Sequence, residues 1–205
     1  MRLVTALVLL LALAAPALGH HVGAYTPRDN EITINFKQIK FSLQAKKFDV
    51  ALRLFDEGAL REAMREKAAS LPAELEIGTR TALQAKDGVE VERRLMIFFA
   101  ALARELALEA DRQLAAATLS REARAAMGQR FLEAMWRYYN LVDFAVSSRD
   151  NKSSTAVRLA FDEAEGYVKA TSTAEVDKLR EPLRRIAQVL STLIDTSSAL
   201  PRRDS

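Results

Sequence analysis

The sequence predicts an all-α protein: an up-down four-helix bundle with an N-terminal helical hairpin packed on it. Three observations carry this. Glycine and proline are scarce, seven and five in 205 residues. Long stretches are dominated by Ala, Leu, Glu, Arg and Lys, whose side chains lose little rotamer freedom in a helix. Apolar residues recur three and four positions apart, which lines one face of a helix.

The chain opens on what reads as a secretory signal over residues 1–19. Arg2 supplies the basic region, "LVTALVLLLALAA" the apolar stretch, and small residues follow at signal-peptidase spacing. Two cuts fit, after Ala17 and after Gly19. The apolar run is shorter than the ~20 residues a bilayer span requires. A soluble, periplasmic or secreted protein is expected, not embedded in a membrane.

Residues 20–88 read as the hairpin and a connector. "TPRDNE" gives a helix start, with Asp29 or Asn30 as N-cap. Ile32, Phe36, Ile39 and Leu43 then share a face. "EITINF" also alternates as a short strand would, but the helical period continues through Leu43. "KKFDVALRLFDEG" makes a second helix ending at Gly58. The pair is like one tetratricopeptide unit, with no second copy at the period a solenoid needs. "ALREAMREKAASL" is a third helix, stopped by Pro72, and "AELEIGTRTALQAKDG" a weaker one.

Residues 89–198 read as the bundle, with 20–205 forming one compact domain. Its helices are expected over 89–118, 120–148, 153–171 and 174–197. Ser120 caps the second, and Ser172 with Glu175 has capping-box spacing for the fourth. Short connections make neighbours antiparallel. Val176, Leu179, Leu183, Ile186, Leu190, Leu193 and Ile194 form a clean stripe, within which Pro182 must kink the helix or start it anew.

Composition excludes several functions. With no cysteine and only two histidines, both at 20–21, neither a Ser-His-Asp nor a Cys-His site can be built in the bundle. No phosphate loop or dinucleotide fingerprint is present. Thirty basic and 27 acidic residues are well mixed, unlike a nucleic-acid binder. No enzyme is expected.

Metal chemistry is the remaining candidate. A cut after Ala17 places His20 third, where the free amine, two backbone nitrogens and imidazole make a square-planar Cu(II) or Ni(II) site. A cut after Gly19 puts His20 first, as in a histidine brace, with His21 the only other imidazole. A plain polar terminus is the alternative. Glu62/Glu66 and Glu105/Glu109 place like charges four apart, which favours a cation between them, a metal or the flanking Arg61, Arg65 and Arg104. Glu109 falls in the stripe of Leu95, Phe99, Leu102 and Leu106, so it needs a metal, a proton or an arginine.

In "MWRYYNLVDFAV", Phe131, Met135, Tyr138 and Val142 line one face, broadened by Trp136 and Tyr139. Val157, Phe161, Ala164 and Val168 face inward in the next helix. Asp143, Glu163 and Tyr167 flank these faces and are candidates to converge at one rim. Oxygen ligands suit Fe(III), Mn(II) or Ca(II), although an aromatic stripe is ordinarily core.

Trp136-x-Tyr138, a helix ending in Arg149, a polar turn and then "FDEAEGYVKA" resemble a stretch of the algal secreted, low-iron-inducible iron-assimilation proteins. "KKFDVALRLFDEG" resembles their N-terminal hairpins. The resemblance implies iron binding and carries over to Asp162, Glu163 and Tyr167. Leu141, Leu159, Ala160 and Ala164 stand where that family has histidines, tryptophans and a glutamate. The expectation is an exported protein that binds a metal ion, foremost iron, for uptake or delivery to a membrane transporter or other periplasmic protein. The alternatives are a metal-free helical adaptor and copper binding at the mature N-terminus.

Overall fold

The computed structural model describes residues 28–116, 118–170 and 176–199. Among them are eight helices and no strand: α1 Glu31–Gln44, α2 Phe48–Asp56, α3 Ala59–Glu66, α4 Leu75–Gln84, α5 Gly88–Ala116, α6 Arg121–Arg149, α7 Asn151–Lys169 and α8 Arg180–Ser198. The signal region, His20, His21 and the Ser172/Glu175 capping box lie outside the described residues. None of the described helices is long and apolar enough to cross a membrane.

Asn30 caps α1. Its side chain accepts from Thr33 N and Thr33 Oγ1 accepts from Asn30 N, both at 2.9 Å, a reciprocal box that commits "EITINF" to helix. Asn30 Nδ2 also donates to the Tyr138 hydroxyl at 3.0 Å, anchoring the start of α1 on α6. Phe36, Ile39 and Leu43 are buried as the period predicts, and Ile32 packs half-buried beside them.

The hairpin has a sequel that the tetratricopeptide period conceals. Leu-Gln-Ala-Lys occurs at 43–46 and again at 83–86. Both copies end their helix alike. Lys46 and Lys86 adopt positive φ (57° and 58°), and the following residue donates back to Ser42 O at 2.8 Å and Ala82 O at 2.9 Å. This is the Schellman stop with lysine in the usual glycine position. The α4–α5 corner thus repeats the α1–α2 corner.

α3 ends at Glu66, well before Pro72. Ser70 draws off the next carbonyl, its N and Oγ both donating to Lys67 O at 2.9 and 3.0 Å, and Arg104 caps Ser70 O at 3.1 Å. Asn35 joins α1 to the α2–α3 corner. It is buried, donates to Leu54 O at 2.9 Å and accepts from Leu60 N at 3.0 Å. Gly58 lets it in, since a Cβ there would sit 2.3 Å from Asn35 Oδ1.

α5 is the centre of the molecule. Every residue from Leu95 to Ala103 is buried, so this stretch of the helix is enclosed on all sides, not on one stripe. α6 and α8 pack along it, α4 covers its start, and α1 reaches it through Phe36 on Phe99, ring centroids 4.7 Å apart. α7 packs on α6 and α8. Asp150 ends α6 and also caps α7, accepting from Ser153 N at 3.0 Å. Ser120 caps α6 as expected. Pro182 sits in the first turn of α8, where the amide it lacks has no helical partner, so the helix starts anew instead of kinking.

Candidate functional site

The carboxylates singled out in the sequence all sit on helix surfaces, and three of them, Glu109, Asp143 and Glu163, are held by arginines. Glu109 is the clearest departure. It lies 37% exposed and is bonded by Arg112 Nε at 2.8 Å and Gln113 Nε2 at 2.5 Å. Those two bonds hold its carboxyl below the ordinary range, Arg112 foremost. The buried face of α5 advances through Ala103, Ala107, Ala110 and Leu114, which leaves Glu109 beside it. Glu105 accepts from Lys67 Nζ at 3.3 Å, so each member of that pair has its own cation.

Asp143 and Glu163 belong to two different ion pairs. Asp143, on α6, accepts from Ser154 Oγ at 3.0 Å and Arg158 Nε at 3.1 Å, both on α7. Glu163 accepts from the Tyr167 hydroxyl at 3.2 Å and from Arg185 of α8 at 2.5 Å. The first joins α6 to α7 and the second α7 to α8. The expected common rim of Asp143, Glu163 and Tyr167 is therefore split, with only the last two in contact. Asp162 is exposed. No group of three Asp, Glu or His side chains placed to hold a metal ion occurs among the described residues.

Behind Asp143 lies an aromatic cluster. Trp136 stacks edge-on to Phe161 at 5.2 Å, and Tyr139 lies 6.1 Å from both rings. The Tyr139 hydroxyl is buried with no partner in hydrogen-bond geometry among the described residues. Burial first, and then the Asp143 charge, raise its pKa above the ordinary value, although Ser154 beside it pulls the other way. It stays a neutral phenol and serves as core.

Two surfaces remain for recognition. On the outer face of α1, Ile34 (46% exposed) and Phe41 (71%) stand seven residues apart, two turns along one line. Their signal was present in the sequence as two apolar residues off the Ile32–Phe36–Ile39–Leu43 face. Beyond the inner face of α1, a groove of about 370 Å³ runs between α1, the start of α5 and the end of α6. Phe144, 79% exposed, lines it.

Sequence reasoning also missed the polar clasp around Glu90. Arg93, almost fully buried, grips it with two donors at 2.7 and 2.5 Å and donates to Ser197 O on α8. Arg94 adds a bond at 2.7 Å. The available signal was "EVERR", glutamate three and four positions before arginine.

Compared with known proteins, the chain matches no family model, no curated protein and no solved structure.

Proposed function

We propose that this chain is an exported, metal-free helical adaptor that docks a partner protein through the outer face of α1, with α5–α8 as an up-down four-helix bundle that supports the hairpin. The observation that carries it is the Ile34–Phe41 line. Two large apolar side chains one heptad apart on an otherwise polar face are the anchors of a helix laid in a partner's groove. The Asn30–Tyr138 and Phe36–Phe99 contacts fix α1 to the long helices, so the anchors are presented rigidly. A photo-reactive phenylalanine analogue at position 41, in the chain exported by its own cell, is expected to give one discrete cross-linked species. Ile34→Asp should remove it, and the same analogue at Leu159, an exposed apolar site on α7, should give none. Equal cross-linking at both sites, or none at 41, would overturn the adaptor reading.

Iron binding is the second reading, favoured by the one phenol–carboxylate contact among the candidates, Tyr167 to Glu163. Partial burial, and then Glu163 itself, raise the Tyr167 pKa, so Fe(III) must displace both the phenolic proton and Arg185. Titration with Fe(III) nitrilotriacetate is expected to give a visible tyrosinate charge-transfer band that Tyr167→Phe abolishes and Arg185→Ala strengthens. No band in the unaltered protein removes this site.

A further inference from the structure

The groove between α1, α5 and α6 is a separate surface from the α1 anchors. Its apolar walls include Leu43, Leu95, Leu141 and Val142. Phe144 stands at its edge, exposed and adjacent to the space it does not fill. Three charged residues line the same groove: Lys40 on α1, whose ammonium lies over the Phe36 ring at 5.8 Å, Glu92 on α5 and Arg149 at the end of α6. The side chains of Glu92 and Arg149 have no hydrogen bond or ion pair among the described residues.

We infer that this groove is the interface for a second copy of the chain, related by a two-fold axis, with Phe144 of each copy seated in the groove of the other. Three features select a copy over an unrelated partner. Knob and hole occur side by side on one surface, and a two-fold axis brings each opposite the other without any further element. Glu92 and Arg149 are of opposite sign, so the same axis sets Glu92 of each copy against Arg149 of the other. A partner segment of one charge would satisfy one of these and repel the other. A large aromatic ring exposed at the edge of an apolar groove is also the anchor-and-pocket arrangement from which interfaces draw most of their energy.

Sedimentation equilibrium of the exported protein tests this. A monomer–dimer equilibrium is expected, with a dissociation constant on the order of micromolar. Phe144→Asp should weaken it by about 30-fold or more, the loss of one anchor per copy. Its exposure makes the substitution harmless to folding. Glu92→Arg and Arg149→Glu should each weaken association by about tenfold, because each sets like charges face to face. The double variant Glu92→Arg/Arg149→Glu should return to within about threefold of the original, because the swapped pair re-forms across the axis. Leu159→Asp and Ile34→Asp should leave the equilibrium unchanged, which separates this interface from the α1 anchors. A protein that stays monomeric throughout, a dimer indifferent to Phe144→Asp, or a double variant no tighter than the single ones would each overturn the inference.

Discussion

Phe99→Ala is expected to lower the unfolding free energy by about 3–5 kcal/mol, the cost of deleting a fully enclosed ring from a site that cannot collapse. Phe99 is the ring through which the hairpin meets the long helices. It touches Phe36 of α1 edge-on at 4.7 Å, Phe98 at 5.3 Å and Tyr138 of α6 at 6.0 Å. Its walls are therefore contributed by three different helices, and no one of them can move in without opening another contact. Tyr138 also holds the α1 N-cap through Asn30, so loosening the ring cluster frees the start of α1 as well. Urea unfolding followed by circular dichroism reads the effect as a fall in midpoint. A loss below about 1 kcal/mol would mean that the site repacks and that the hairpin is held elsewhere. Phe99→Leu, which keeps most of the apolar volume, should recover the larger part.

The helical character was legible because it rests on local signals. Asn30, Ser120 and Gly58 mark helix boundaries through their own side-chain or backbone chemistry, and the stripe of α8 needs no knowledge of its neighbours. What the sequence concealed is how many neighbours each helix has. Periodicity reads α5 as a one-sided stripe, although "LMIFFAALA" is an unbroken apolar run and so already the mark of a helical segment buried all round. The same periodicity points Glu109 inward. The Leu95–Phe99–Leu102–Leu106 stripe continues in a straight line to Glu109, whereas the buried face drifts through small alanines, which carry little hydropathy signal of their own. The α4–α5 repeat was hidden because its signature is a turn of four residues, not a helix.

The candidate site was legible residue by residue and not as an assembly. Asp143, Glu163 and Tyr167 do flank the faces assigned to them. Which cation each meets depends on the rotation of α7 against α6 and α8, and spacing along one chain does not encode that rotation. Arg158 and Arg185, which claim the two carboxylates, lie on different helices from the groups they pair with. The exposed Phe41, Ile34 and Phe144 are the converse case. An apolar residue off the main stripe is common on any surface, and only its exposure beside a groove or along a line distinguishes it.

Glu90→Gln is expected to cost about 3 kcal/mol at neutral pH, because it strands a buried guanidinium. Arg93 is bidentate on Glu90 and reaches Ser197 O on α8, while Arg94 bonds the same carboxylate and extends to Glu74 O at the start of α4. One carboxylate thus fastens three helices at one end of α5. At the other end, Asp111 accepts from Arg180 at 2.7 Å and Arg184 at 3.1 Å, tying α5 to the start of α8. The Arg93 bonds hold the Glu90 carboxyl below its ordinary value of 4.5, outweighing partial burial. For Asp111 burial pulls upward, but the two arginines prevail and the net direction is again down from 3.8. A carboxyl depressed in the folded state adds stability that is fully present above its unfolded value and is lost as pH falls through its folded value. The native protein should therefore weaken as pH drops below 4.5 for Glu90 and below 3.8 for Asp111. Glu90→Gln removes the first of these, so the gap between variant and native protein should be widest near neutrality and narrow on acidification. Urea midpoints of both proteins, measured at neutral pH and at successively lower values, check this. A gap that holds constant with pH would show that the clasp acts by shape and hydrogen bonding, with the Glu90 charge contributing nothing.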